Sequence, residues 1–190
     1  MPSFELDAAT TALILIDLQN AIMGYPLQPY PAATVLENAN RLISNLRAKG
    51  VPIILVRVAI AEVMHPIVDQ PTRDPNAPPP PPEASELVAG LDRQPSDIVV
   101  TKRQWGAFYG TELDQQLRRR GIKTIVIGGI ATNIGVESTA RAAFDRGYAV
   151  VFAEDAMSTL SPEAQQFATQ VIFPRMGRVR TTAQIVEALQ

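Results

Sequence analysis

The chain has 190 residues, 46% of them hydrophobic, with a formal net charge of -2 and no cysteine. So weak a charge gives no field to draw nucleic acid or anionic lipid, and no apolar run reaches the ~20 residues that span a bilayer. Without thiols, disulfides, zinc–thiolate sites, iron–sulfur clusters and cysteine nucleophiles are all excluded.

A chain of this size can bury about 70% of its unfolded surface, which predicts one compact domain over residues 1–190. Few aromatics among many Ala, Val, Ile and Leu suit a sheet covered by helices, so the expected class is α/β. The N-terminus lacks a basic segment leading into an apolar stretch, and a cytoplasmic location is expected.

Residues 11–16 (TALILI) read as a buried strand closed by Asp17. Over 34–49, Leu36, Ala39, Leu42, Ile43 and Leu46 recur at helical spacing until Gly50 and Pro52 stop the pattern. Residues 53–58 (IILVRV) form the second strand and complete a β-α-β unit with parallel strands and a right-handed crossover. Periodicity then disappears over 59–82, where five successive prolines at 78–82 fit neither regular element. This stretch is a long, stiff connection.

A third strand is expected at 98–101, followed by Lys102, a glycine-spaced segment at 106–110 and a helix over 111–120 that Gly121 ends. A fourth strand follows at 124–127, with residues 128–135 as its exit and a helix over 136–145 closed by Gly147. After a fifth strand at 149–152, Ser161 and Pro162 open a helix toward Phe173 as N-cap and first-turn proline. A short sixth strand at 178–180 precedes a last helix, for which Thr181 and Gln184 have capping-box spacing.

Such alternation builds an open parallel sheet of the three-layer α/β/α type, and sheets of this kind bind ligands at the carboxyl ends of their strands. That rule selects Asp17, Lys102 and the turn from Ile130 to Gly135, three separated segments converging on one edge. Gln19, two residues after Asp17, is a candidate for holding water or substrate. Trp105, Phe108 and Tyr109, just after Lys102, are candidates for an apolar wall.

The segments LILIDLQNAI around Asp17, VVTKRQWGAFYGTELD around Lys102 and GGIATNIGVESTARAAFDRGY across Gly135 carry a resemblance. In order and spacing they resemble the three signature blocks of the isochorismatase-like hydrolases of the cysteine hydrolase superfamily, over essentially the whole chain. The resemblance implies that Asp17 and Lys102 flank the position of the family's nucleophilic cysteine, here Gly135. It further implies a non-proline cis peptide at Ile130–Ala131 and an oxyanion hole formed by the N–H groups of Ala131 and Gly135. Family members commonly associate into dimers or tetramers, so a homo-oligomer is expected.

Gly135 rules out attack by a thiolate and a covalent acyl-enzyme. Isochorismatases proper cleave a vinyl ether, which requires proton delivery to carbon and addition of water but no nucleophilic side chain. The expectation is therefore a hydrolase of a small, anionic metabolite. Asp17 supplies or shuttles the proton, Lys102 orients it, and Ala131 and Gly135 position substrate or water. The alternative is a catalytically silent member that binds a metabolite or serves as a scaffold. His65 is the single histidine, too few for an aspartate–bis-histidine metal site, and no metal or cofactor is expected. Whether Asp17 can hold a proton at all is a further question, because an adjacent ammonium lowers a carboxyl pKa unless burial opposes it.

Overall fold

The first strand, β1 (Thr11–Ile16), is buried at every residue, as a central parallel strand covered on both faces should be. A single-turn helix, α1 (Asn20–Met23), and the 17-residue α2 (Ala32–Ala48) lead to β2 (Ile53–Val58). Next come β3 (Ile98–Lys102), α3 (Leu113–Arg118), β4 (Thr124–Ile130) and α4 (Glu137–Asp145). The chain ends with β5 (Ala149–Ser158), α5 (Pro162–Phe167), β6 (Gly177–Arg180) and α6 (Thr182–Ala188). This is a computed structural model describing residues 4–64, 66–71, 74 and 77–189.

All six strands lie parallel in one sheet, in the order β3-β2-β1-β4-β5-β6. The chain winds outward from β1 through β2 to β3, then returns to the other side of β1 and winds out again. The order therefore reverses between β1 and β4, and their carboxyl ends diverge into a crevice.

Side chains alternate across β1 with the period of two that a strand imposes. Leu13 and Leu15 join the core beneath α2 and α6, with Ala39, Leu42, Leu46 and Ile185. Ala12, Ile14 and Ile16 join the opposite core, with Leu113 and Leu117 of α3 and Ala140 and Ala143 of α4. Each fully buried aliphatic side chain of this kind contributes roughly 1.5–3 kcal/mol, and the two cores make the three-layer architecture that the residue pattern predicts. In α2 the buried stripe runs through Val35, Ala39, Leu42, Ile43 and Leu46. Leu36, expected on that stripe, packs at its margin.

Three elements depart from the expected limits. Strand four continues through Gly128 and Gly129 to Ile130, although adjacent glycines read as a strand exit. The cause is close backbone approach: a Cβ on Gly129, whose φ is 111°, would lie 2.1 Å from the carbonyl oxygen of Ile16. Strand five runs to Ser158, with its register against β4 shifting between Ile127 and Gly129. That irregularity lets Met157 and Ser158 pair again with Gly129 and Ile130. The third helix covers only Leu113–Arg118, because the Thr111 hydroxyl accepts from the Leu113 N–H and so sits ahead of the first turn. Both predicted N-terminal signals are present farther on: Ser161 accepts from the Ala164 N–H, and Thr181 with Gln184 completes a capping box.

Candidate active site

Asp17 is the first residue beyond β1, and its amide still donates to the Val56 carbonyl at 2.9 Å. Its φ of 53° lies in the left-handed region, which aspartate enters more readily than most residues. Lys102 closes β3, two strands away. Its side chain spans the end of β2 and places Nζ 2.7 Å from Asp17 Oδ2, with only 2% and 6% of the two side chains exposed. The same ammonium also donates to the Gln104 carbonyl at 3.2 Å.

Burial and pairing oppose each other at Asp17. Removal from water is the larger effect and raises its pKa, while the charge and hydrogen bond of Lys102 and, to a smaller extent, the backbone N–H of Val58, which itself donates to Gln19, lower it. The outcome is a carboxyl pushed up to about 6. Of its two oxygens, Oδ2 binds Lys102 and Oδ1 is buried without a hydrogen-bond partner among the described residues.

Gly135 completes the floor. It lies in a π-helical turn (Thr132–Val136) that leads from β4 into α4, and the Ile130–Ala131 peptide just before that turn is cis. A Cβ at position 135 would stand 3.1 Å from Ile16 Cγ2 and 3.3 Å from Asp17 Oδ2. A side chain here would therefore press on the carboxylate. The Thr139 hydroxyl donates to the Gly135 carbonyl at 2.7 Å and accepts the Ala107 N–H at 3.0 Å. This buried bridge ties the turn to the loop that follows Lys102.

These groups form the floor of a cavity of about 320 Å³. Ala131, Trp105 and Gln104 line it beside Asp17, Lys102 and Gly135. The sequence reading missed Ile22, Tyr25 and Leu27, which follow β1, and Val58, Ile60 and Val63 at and beyond the end of β2. Ile130, Ile134 and Leu160 complete the lining. Applying the carboxyl-end rule to the second strand as well brings in Val58 and Ile60, whereas Leu160 follows the end of β5 at Ser158, well beyond the expected end at residue 152.

Three expected site residues lie elsewhere. Gln19 is fully buried, and its side-chain amide donates to the Val58 carbonyl at 2.9 Å and accepts the Val58 N–H at 2.7 Å. It acts as an extra rung on β2 that anchors the segment after Asp17, rather than reaching substrate. Phe108 faces the opposite core, 6.1 Å from the Tyr148 ring and 4.8 Å beneath the Arg146 guanidinium. The chain turns inward after Trp105 because the Ala107 N–H is held by Thr139. Tyr109 is 76% exposed and lies away from the lining, and His65 falls outside the described residues.

The isochorismatase domain model matches residues 11–184. The chain belongs to the isochorismatase family. An isochorismatase family protein of Escherichia coli O157:H7 is 47% identical over 186 residues, covering 97% of this chain and 99% of that protein. Among solved structures, an isochorismatase family protein from Burkholderia thailandensis superposes with a TM-score of 0.89 and 46% identity over 95% of each chain. Several relatives bear amide-cleaving names. A ureidoacrylate amidohydrolase of Methylobacterium radiotolerans is 33% identical over 84% of this chain and 71% of its own length. An N-carbamoylsarcosine amidase from Thermoplasma acidophilum superposes with a TM-score of 0.70 at 25% identity, covering 91% of this chain and 96% of that one. Among the described residues, no helix of this family member is long and apolar enough to cross a membrane.

Proposed function

We propose that this isochorismatase family member is a hydrolase of a small metabolite that works by acid–base chemistry, without a covalent intermediate or a cofactor. One observation carries the reading. The carboxyl of Asp17 is buried at the cavity floor, held at one oxygen by Lys102 and unbonded at the other, and burial pushes its pKa up to about 6. A carboxyl that keeps its proton close to neutral pH is suited to general acid catalysis. Lys102 fixes its orientation and stabilises the carboxylate left behind when the proton departs.

Vinyl-ether cleavage is the most concrete reaction of this kind. The Oδ1 proton of Asp17 passes to the terminal alkene carbon, and the positive charge spreads onto the ether oxygen. Water adds to the adjacent carbon and returns a proton to Asp17. The resulting hemiketal then splits into a carbonyl compound and an alcohol, so one water is consumed and the enzyme is regenerated. Backbone N–H groups at Ala131 and Gly135 are the assigned positioners of substrate and water. The side-chain-free position at Gly135 leaves the carboxylate unobstructed.

The test is a screen of vinyl ethers and small amides with the wild-type chain and with Asp17→Asn. Turnover that disappears in the variant, with no pre-steady-state burst in the wild type, supports the assignment. Equal turnover by both proteins would remove Asp17 from the chemistry.

A further inference from the structure

The lining of the cavity speaks to the charge of its occupant. Lys102 is its one cation among the described residues, and that ammonium is already bound to Asp17 and the Gln104 carbonyl. Cations next in sequence to the lining are engaged as well. Arg57 donates to the Thr101 hydroxyl at 3.0 Å, and Arg103 pairs with Glu62 at 2.5 Å. Gln104 and Tyr25 add neutral polar groups, while the walls are aliphatic side chains and the indole of Trp105. A carboxylate entering here would leave water and meet neutral donors but no unpaired cation among the described residues, which is unfavourable for a charge moved into largely apolar surroundings. The volume of about 320 Å³ is at the small end of the ~300–1,000 Å³ typical of ligand pockets.

We propose that the substrate is an uncharged molecule with a compact apolar body, whose one hydrolysable polar group rests on the Asp17–Lys102 floor. This rests on the hydrolase reading above and replaces the anionic metabolite expected from the sequence. Asp17 and Lys102 engage the reacting atoms, and the aliphatic wall with Trp105 takes the body. Apolar burial and an aromatic face supply affinity where a carboxylate-binding site would place an unpaired arginine or lysine.

The test uses two matched pairs of probes: benzamide against 4-carbamoylbenzoate, and phenyl vinyl ether against 4-(vinyloxy)benzoate. Binding is measured by calorimetry at pH 8 and hydrolysis by product analysis. The neutral member of each pair is expected to bind at least about tenfold tighter, and Trp105→Ala is expected to weaken it. Val63→Lys, which puts a free ammonium on the partly exposed wall, is expected to narrow or invert the preference. Equal or tighter binding of the carboxylates would overturn the proposal. So would failure of both neutral probes to bind at millimolar concentration, or a preference that Val63→Lys leaves unmoved. Neutral binding without hydrolysis supports this inference but counts against the hydrolase reading. Hydrolysis that favours the carboxylates has the reverse meaning.

Discussion

The two edges of the sheet each carry a hollow, and they handle charge in opposite ways. At the amino edge, a depression of about 580 Å³ is lined by Asp7, Lys49, Gly50 and Arg120, among others. Its charged groups serve local structure: Asp7 accepts from the Ala9 N–H and the Thr10 hydroxyl, and Arg120 donates to Gln116. The carboxyl edge has the smaller hollow, about 320 Å³, yet it buries a lysine and an aspartate drawn from strands two positions apart. Size does not single out the candidate site here. A charge kept out of water at a cost does, because folding alone gives little reason to retain it.

The widest separation between the edges should appear in turnover. Asp17→Asn is expected to lower kcat/KM on a confirmed substrate by on the order of 10²–10⁴-fold, the usual contribution of a positioned acid. A loss below threefold would make the pair structural. Lys102→Met comes next, because it strands a buried carboxylate. Breaking one side of such a pair costs about 3–5 kcal/mol, measurable by urea unfolding at pH 8. The loss should shrink at pH 5, where Asp17 can take up a proton and become neutral. A penalty equal at both pH values would place its origin in packing.

The wild-type chain makes a milder prediction about pH. In the unfolded chain Asp17 titrates at an ordinary 3.8, and in the folded one at about 6. Between those values the folded state holds a proton that the unfolded state has lost, so this group favours folding less as pH rises through the window. Below 3.8 both states are protonated and above about 6 both are ionised, so the contribution levels off at each end. Asp17→Asn should remove that slope from stability measured between pH 4 and 6. For catalysis, an acid at this position predicts kcat/KM falling about tenfold per pH unit above the Asp17 titration. A profile that rises through the same point would assign Asp17 as a base instead.

The sequence reading reached the architecture because each half of the signal is local. The continuous apolar run of β1 and the stripe on α2 are read from residue spacing, and the sheet's carboxyl edge follows from topology. Asp17, Lys102 and Gly135 were legible for the same reason, since each sits within a residue or a turn of a strand end. Gln19 and Phe108 were misplaced because side-chain direction in a loop depends on distant partners, here the backbone of Val58 and the hydroxyl of Thr139. Gly128 and Gly129 read as a break, and only the close approach of Ala156 to the first and of Ile16 to the second explains glycine within the strand. The outcome at Asp17 was also beyond the sequence. Lysine proximity and burial act in opposite directions, and their balance depends on how much water the fold removes.

The smallest expected effects belong to the amino edge, and they are what give the larger ones meaning. Asp7→Ala should cost about 1 kcal/mol, the usual value of a lost cap, because the side chain holds the turn before β1. Lys49→Ala, just beyond the end of α2, should stay within about 0.5 kcal/mol of wild type, and both variants should leave kcat/KM unchanged. Thermal unfolding beside steady-state kinetics reads both quantities from one preparation. A fall in turnover from Lys49→Ala without loss of stability would mean that the amino-edge hollow also handles substrate, and the contrast between the two edges would fail. If turnover holds while Asp17→Asn abolishes it, burial of charge rather than breadth of cavity marks the functional end of this sheet.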